Sequence, residues 1–307
     1  MYFDSKRRLD RKMDRLLAAE EAGRLKSRSG SRILRKIFSN PLSLFGFVVF
    51  AVIVLSSILA PLITRFGPLQ LNLREVLKPP SAAHIFGTDK LGRDIFSRVL
   101  YGGRISILIG FGSALGAAFI GILLGCYGGY KGGIVDKLFL RISEIFMSFP
   151  QIVLVLLLVS IVGQSMGNLI LIFIGTGWGS IYRMTRAKML SIREEEYVTA
   201  LKAFGLSDFL ICYKHMLPNA LGPIVVNITL STAMFILQEA ALSFLGLGVP
   251  LQIATWGNIL NAANDFTVLQ SYWWIWLPVG IVISLFVLSV NFIGDGLRDS
   301  ADPSQQG

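Results

Sequence analysis

The amino-acid sequence predicts an all-α, polytopic membrane protein with six transmembrane helices, and two observations carry this prediction. Of the 307 residues, 53% are hydrophobic and only 16% are charged, whereas soluble domains carry about 25% charged residues. The hydrophobic residues also form long continuous runs, as a helix crossing ~30 Å of hydrocarbon requires. Strands of a membrane barrel would instead alternate polar and apolar residues.

Six stretches are long and apolar enough to be membrane-spanning helices. In chain order they are residues 42–63, 105–127, a stretch centred on 151–163 that begins near 134, 169–182, 223–248 and 272–293. They define a transmembrane domain over residues 41–293. An N-terminal tail (1–40) precedes this domain, and a C-terminal tail (294–307) follows it.

The N-terminal tail is strongly basic. Residues 1–40 contain 12 Lys or Arg and five Asp or Glu, which places the N-terminus in the cytoplasm by the positive-inside rule. The tail is too long and polar for a cleavable signal peptide. Apolar residues at helical spacing within 33–38 predict a short helix on the lipid surface. Residues 1–30 have two open interpretations: a helix, or a solvated tail that only sets the topology. Nucleic-acid binding is not expected, because topology accounts for the charge.

The charges of the loops predict the topology. The basic loop 186–222 and the C-terminal tail are expected in the cytoplasm, whereas the loop 249–272 lacks Lys and Arg, as an external loop should. One segment disagrees, because residues 65–104 carry seven Lys or Arg yet must lie outside. Long loops weigh less in this rule. A multi-pass protein of the cell's inner membrane, with both termini inside, is therefore expected.

Glycines in the second stretch predict a central, tightly packed helix. Gly112 and Gly116 project to one side, and Gly121 and Gly125 project to the other. Small residues let helix backbones approach closely in lipid. Ordinary packing without a direct role in function is the alternative for each glycine.

Glu239 is the single acid of the fifth stretch. A charge at mid-membrane costs at least ~2.5 kcal/mol, so this side chain should face protein or water. Two interpretations are open. Glu239 lies in a translocation path or gate, or it forms structural hydrogen bonds between helices or subunits.

Two motifs, one for nucleotide binding and one for metal-dependent catalysis, are missing from the sequence. It contains neither a GxxxxGK[ST] phosphate loop nor an HExxH metal motif. His84 and His215 are predicted on opposite sides of the membrane, too far apart to share a metal. Cys126 and Cys212 are expected near the inner face as reduced thiols. The chain is therefore not expected to be an enzyme or to hold a metal.

The loop 186–222 is predicted to form a helix–turn–helix elbow. Helix formers fill residues 194–204, with acids at the start that suit the helix dipole. Gly205 is a natural helix stop. A second helix is predicted over 207–216, ending before Pro218. Such an elbow can fit a groove on a partner protein.

This elbow resembles the EAA loop of ABC importer permeases, whose pattern is Glu-Ala-Ala, three residues, Gly, nine residues, an apolar residue, any residue and Leu-Pro. The matching positions are Thr199, Ala200, Leu201, Gly205, His215, Met216, Leu217 and Pro218. The departures are Thr199 for Glu, Leu201 for Ala and His215 for Ile. Glu196, one turn earlier, could replace the glutamate that is missing at position 199.

Two further segments resemble the C-type permease of dipeptide, oligopeptide and nickel importers. One is the sequence from His84 to Ser106, which looks like the signature before the second helix, and the other is residues 239–248. The three matches occur in order and cover residues 32–300. The resemblance implies the six-helix fold of type I ABC importer permeases.

The resemblance also implies the partners. The chain would form a pore with a B-type permease, bind two P-loop ATPases and receive its substrate from an extracytoplasmic binding protein. ATP and Mg²⁺ would belong to the ATPases, so this chain would hold no cofactor. The implied ATPase-coupling residues are Glu196, Thr199, Ala200, Lys202, Ala203, Gly205, Leu206, Ser207, His215, Leu217 and Pro218.

The external segment is the implied site of docking or gating. Its residues are Thr88, Asp89, Gly92, Arg93, Asp94 and Arg104. The alternative is a solvated amphipathic helix that caps the second span, with exposed charges that pair among themselves and contribute little.

The implied substrates are dipeptides and oligopeptides. Nickel chelates, glutathione and opine-like molecules are alternatives, because selectivity in this family lies mostly in the binding protein. Alternatives from other classes are a self-sufficient secondary carrier, whose inverted repeats are not visible here, and a membrane-anchored interaction protein without a pore.

Overall fold

A computed structural model describes residues 40–301. Over this range the chain is all-helical, as predicted, apart from one isolated bridge between Thr88 and Asp94. Its helices are α1 (Pro41–Ile58), α2 (Ala60–Ile63), α3 (Ile95–Lys131), α4 (Gly133–Met147), α5 (Gln151–Val162), α6 (Met166–Arg193), α7 (Glu196–Ala203), α8 (Asp208–Leu210), a π turn (Ile211–Met216), α9 (Leu217–Phe244), α10 (Trp256–Leu260), a 3₁₀ turn (Asn261–Asn264), α11 (Phe266–Ser271) and α12 (Trp273–Ala301). The helix predicted within 33–38 lies outside the described residues.

Four helical segments are long and apolar enough to cross a membrane. They are α1, α3, the continuous segment Asp208–Phe244 and α12. A fifth span results if α4 and α5 count together, but their axes are bent by 87°. The third stretch is therefore not the single helix predicted, because Pro150 disfavours helical backbone at Phe149. Helix α6 covers the fourth stretch, but it is not apolar enough to count among these membrane-spanning candidates. Helix length and composition thus define four or five spans over 40–301.

Two helices extend beyond their predicted ends. Helix α3 begins ten residues before 105, because the Asp94 carboxylate accepts a hydrogen bond from the backbone N–H of Ser97 at 2.7 Å and caps the helix. Helix α12 continues from the predicted end at 293 to Ala301. Charged residues beyond Ile293 must leave the hydrocarbon, but they need not leave the helix.

Helix α3 lies at the centre of the helix packing, as its glycines predicted. A Cβ atom at Gly121, Gly125 or Gly129 would lie 2.8 Å from a backbone atom of α6, so only glycine permits this approach. Gly110 lies similarly close to α9. The predicted side formed by Gly112 and Gly116 is packed only in part, because nothing lies within 4 Å of a Cβ at Gly112, whereas a Cβ at Gly116 would lie 2.3 Å from the Ile174 side chain of α6. Helix α3 therefore packs closely on both α6 and α9.

Candidate functional site

The elbow, residues 194–218, begins with α7 and turns sharply at Gly205. Gly205 has φ of +76°, which is the left-handed conformation that favours glycine. Its N–H donates to the Lys202 carbonyl at 2.9 Å, and the Leu206 N–H donates to the Leu201 carbonyl at 3.3 Å. These two bonds are the Schellman arrangement that ends a helix. The predicted first helix and its glycine stop are confirmed.

Most of the predicted coupling residues lie on the surface of the elbow. The exposed ones are Glu196, Thr199, Ala200, Lys202, Ala203, Gly205, Ser207 and Pro218. Leu206, His215 and Leu217 are half-buried. Two aromatic residues that the pattern did not select stand out beside them, because Phe204 is 82% exposed and Phe209 is 71% exposed. The sequence did contain a signal for this exposed aromatic surface, because one Phe lies on each side of the glycine stop.

The inner side of the elbow is anchored to the helix bundle. Val198 is fully buried in an apolar cluster with Met189 and Met216. Tyr130, near the end of α3, donates a hydrogen bond to the Asp208 carboxylate at 2.9 Å. The Lys202 ammonium lies 4.9 Å from the centre of the Tyr130 ring. The elbow therefore presents one exposed face while its other face is packed on α3, α6 and α9.

Pro218 does not end the second helix of the elbow, contrary to the prediction. The helical segment continues from Asp208 through the π turn into α9, with Pro218 in the first turn of α9. The Leu217 N–H donates to the carbonyl of Cys212, five residues earlier. A π turn already departs from the α-helical pairing, and proline is tolerated in a first helical turn because its missing N–H is not needed there.

The two cysteines, Cys126 and Cys212, are free and buried in the same apolar cluster beneath the elbow. Neither forms a disulfide within residues 40–301. The thiols therefore act as small apolar side chains in this packing.

The external segment is a buried network, which contradicts the alternative of exposed charges that pair among themselves. Asp89 is 5% exposed, and its carboxylate accepts hydrogen bonds from Arg93 Nε at 2.7 Å and from Arg98 Nη1 at 3.1 Å. Thr88 and Asp94 are also buried. Gly92 has φ of +69°, and a Cβ there would lie 1.9 Å from the Asn72 carbonyl oxygen. These side chains hold residues 64–94 against α3, and Arg104 alone among the six predicted docking residues is exposed.

His84 joins two carboxylates in this segment. Its Nδ1 lies 2.8 Å from Asp94 and its Nε2 lies 3.1 Å from Glu75, while the Phe66 ring stacks on the imidazole. Burial by itself would lower the pKa of His84, but the hydrogen bonds with both carboxylates outweigh burial and raise the pKa. When the imidazole is protonated, it donates from both nitrogens, which ties residues 75–84 to the start of α3.

Glu239 is completely buried and links three helices. Its carboxylate accepts hydrogen bonds from Ser106 of α3 at 3.1 Å and from Ser243 of α9 at 2.9 Å. The Ser106 hydroxyl in turn accepts a hydrogen bond from the backbone N–H of Trp256, the first residue of α10, at 3.1 Å. Of the two interpretations of Glu239, this geometry favours the structural hydrogen-bonding role.

Residues 163–167 read Gly-Gln-Ser-Met-Gly, a GxSxG pattern that some hydrolases share. Ser165 here is the N-cap of α6, and its hydroxyl accepts a hydrogen bond from the Asn168 N–H at 3.0 Å. This local geometry explains the serine as a helix cap.

Comparison with known families matches residues 117–306 to the inner membrane component of binding-protein-dependent transport systems. Residues 30–80 match the N-terminal transmembrane domain of oligopeptide transport permease C. The dipeptide transport system permease protein DppC of Alkalihalophilus pseudofirmus is 40% identical over 272 residues, 89% of each chain. The oligopeptide transport system permease protein OppC of Bacillus subtilis is 38% identical over 266 residues, 86% of each chain.

The chain therefore belongs to the family of binding-protein-dependent transport system inner membrane components. Within that family it is similar to the C-type permeases of dipeptide and oligopeptide systems. The resemblance to the C-type permeases of dipeptide and oligopeptide importers is confirmed. It is a transport permease rather than an enzyme, and its several apolar helices make it a multi-pass membrane protein.

Proposed function

We propose that the chain is the six-span C-type subunit of an ATP-driven peptide importer, with both termini in the cytoplasm. The α4–α5 pair supplies one span, and α6 supplies the sixth beyond the four apolar helices. Residues 166–182 of α6 are uncharged and extend over roughly 25 Å. The basic residues of α6 begin at Arg183, which supports an inner location for the end of α6 and for the elbow.

The elbow is the proposed contact with an ATPase subunit. The observation that carries this proposal is its two-sided construction, with an exposed face from Thr199 to Phe209 and an inner face packed on three long helices. Exposed aromatic residues such as Phe204 and Phe209 are typical anchors of protein interfaces. ATP and Mg²⁺ would be held by the partner. Movement of the partner would reach α3, α6 and α9 through buried side chains rather than through a flexible loop.

The external segment is the proposed contact with an extracytoplasmic binding protein or with the B-type permease. Because the predicted docking side chains are mostly buried, the surface available to a partner consists of other residues. Leu71 is 60% exposed, Leu73 is 74% exposed and Ile85 is 55% exposed. The buried Asp89 network would hold this apolar surface in shape.

Dipeptides and oligopeptides are the proposed substrates. The similar permeases carry names that refer to dipeptide and oligopeptide transport. Selection among peptides would lie mainly in the binding protein, because the permease must pass every substrate that the binding protein delivers.

Purification of the tagged chain from mild detergent tests the proposal directly. Recovery of a second permease and two P-loop ATPases, with ATP-dependent peptide uptake in membrane vesicles, is the expected result. Recovery of the chain alone, with uptake that needs no ATP, would instead favour a secondary carrier.

The variants Phe204→Ser and Phe209→Ser should reduce ATPase recovery while leaving the B-type permease bound. Phe266→Ser is the matched control, because Phe266 is 69% exposed and lies in α11, outside the elbow. Equal ATPase recovery with all three variants would contradict the assignment of the elbow.

A further inference from the structure

We propose that Gln151, Gln238 and Thr176 form a polar contact site on the translocation path, where uncharged groups exchange hydrogen bonds with the backbone of a passing peptide. The inference rests on the proposed function, because it states where the importer contacts its substrate.

The three side chains form a hydrogen-bonded chain across three helices. Nε2 of Gln238, in α9, donates to Oε1 of Gln151, in α5, at 3.0 Å. Nε2 of Gln151 donates in turn to the Thr176 hydroxyl of α6 at 3.3 Å. Oε1 of Gln238 is shielded and has no hydrogen-bond partner in the described part of the chain. One acceptor is therefore free beside two half-exposed amides.

The helical backbone is interrupted at the same place. Gln151 is the first residue of α5, and the three residues before it, 148–150, are exposed at the 87° bend from α4. Non-helical backbone at membrane depth is tolerated only where it is buried in protein or lines a water-filled cavity. Interrupted helices commonly form substrate sites in transporters for this reason.

Chain geometry places this site inside the membrane. The Gln164 side chain donates to the Gly246 carbonyl at 2.8 Å, so the loops that follow α5 and α9 lie at one level. Gln151 lies at the far end of the 12-residue α5, roughly 18 Å from that level. Gln238 lies six residues before Phe244, the end of α9, or about 9 Å along the axis. In a hydrocarbon core ~30 Å thick, neither amide is at the surface.

A lipid-facing location does not suit these groups, because lipid tails offer no hydrogen bonds and polar side chains within spans usually face protein or water. The half-exposed amides of Gln151 and Gln238 and the exposed bend at residues 148–150 both favour water. Carboxamide and hydroxyl groups donate and accept without carrying charge. They match the N–H and C=O groups that all peptides share, whatever the side chains.

Cysteine labelling in membrane vesicles of the full complex tests the location. The variants are Gln151→Cys and Gln238→Cys, and the parent is the baseline because Cys126 and Cys212 are both buried. Leu157→Cys and Val155→Cys are matched controls on α5, since Leu157 is 57% exposed on the apolar surface and Val155 is 0% exposed.

A charged methanethiosulfonate reagent should label positions 151 and 238, and labelling at 157 should be roughly a hundredfold slower, because hydrocarbon excludes charge. Binding protein loaded with a peptide should slow the reaction at 151 and 238. If the cysteines at positions 151 and 238 react as slowly as those at the control positions 155 and 157, the proposal is overturned. Labelling does not require transport, so ATP-dependent uptake by the parent vesicles tests the proposed function separately.

The variants Gln151→Leu and Gln238→Leu distinguish contact with the substrate from a purely structural role of the two amides. We expect the KM for peptide uptake to rise about tenfold, the effect of losing a hydrogen bond, with recovery of the partner subunits unchanged. Loss of subunit assembly with an unchanged KM would show that the amides only hold helices together, which would contradict the proposal.

Discussion

Substitution of Gly205 separates the geometry of the elbow from its electrostatics. With φ of +76°, Gly205 takes a conformation that costs a residue such as alanine about 1–2 kcal/mol. Nothing lies within 4 Å of a Cβ built there, so the chain itself adds no clash. Gly205→Ala should therefore shift the equilibrium of the elbow about 5–30-fold toward a frayed end of α7, and uptake should fall by at most that factor.

A matched pair then isolates the charge. Asn and Asp both tolerate the left-handed conformation and have nearly the same shape. Gly205→Asn should retain most of the uptake, whereas Gly205→Asp should abolish it, because an unpaired carboxylate would be buried in the ATPase contact. Membrane insertion should be normal for both variants, since the position is exposed on this chain.

The assay combines three measurements on the same vesicles, namely membrane level by immunoblot, ATPase recovery and ATP-dependent peptide uptake. Normal uptake by Gly205→Asp would refute the assignment of the elbow as the ATPase contact. Equal loss of uptake in the Asn and Asp variants would refute the reasoning from charge, because side-chain volume would then suffice.

Three further predictions concern the buried polar groups. Asp89→Ala should destabilise the protein by about 3–5 kcal/mol, because it leaves the Arg98 guanidinium buried without its partner carboxylate. In detergent, the midpoint of thermal unfolding should be lower for Asp89→Ala than for the exposed control Arg104→Ala. The raised pKa of His84 means that its contribution to stability is complete below about pH 6.5 and is lost as pH rises through the folded pKa. The protection factors for hydrogen exchange of residues 75–94, which correct for the intrinsic pH dependence of exchange, should therefore fall above that pH, and His84→Gln should remove this fall. Glu239→Gln should keep the bonds to its two serines and unfold near the parent temperature, whereas Glu239→Ala should cost about 2–4 kcal/mol; equal midpoints would contradict the structural role.

The construction of the elbow explains how a small motif can act on the whole bundle. Val198, Met189 and Met216 are fully buried between the elbow and the long helices. Close-packed interiors transmit displacement because they resist compression. A partner that moves α7 would therefore move the ends of α3, α6 and α9 with it.

Local patterns in the sequence determined much of this protein. Runs of apolar residues identified the long helices α1, α3, α9 and α12, because satisfying the backbone in lipid leaves few alternatives to a helix. The turn at Gly205 was equally local, since only the residue's own φ and the two neighbouring hydrogen bonds decide it.

The tertiary structure decided what distant residues do for one another. In one interpretation of the sequence, Asp89 and Asp94 are exposed charges, yet the fold of residues 64–94 buries them with partners up to ten residues away. Glu239 acquired its partner Ser106 from 133 residues away. Burial and pairing depend on which surfaces meet, and charge patterns along a chain do not contain that information. The sequence therefore determined the helices, the glycine stop and the family, whereas only three-dimensional packing separated the exposed face of the elbow from the buried network of the external segment.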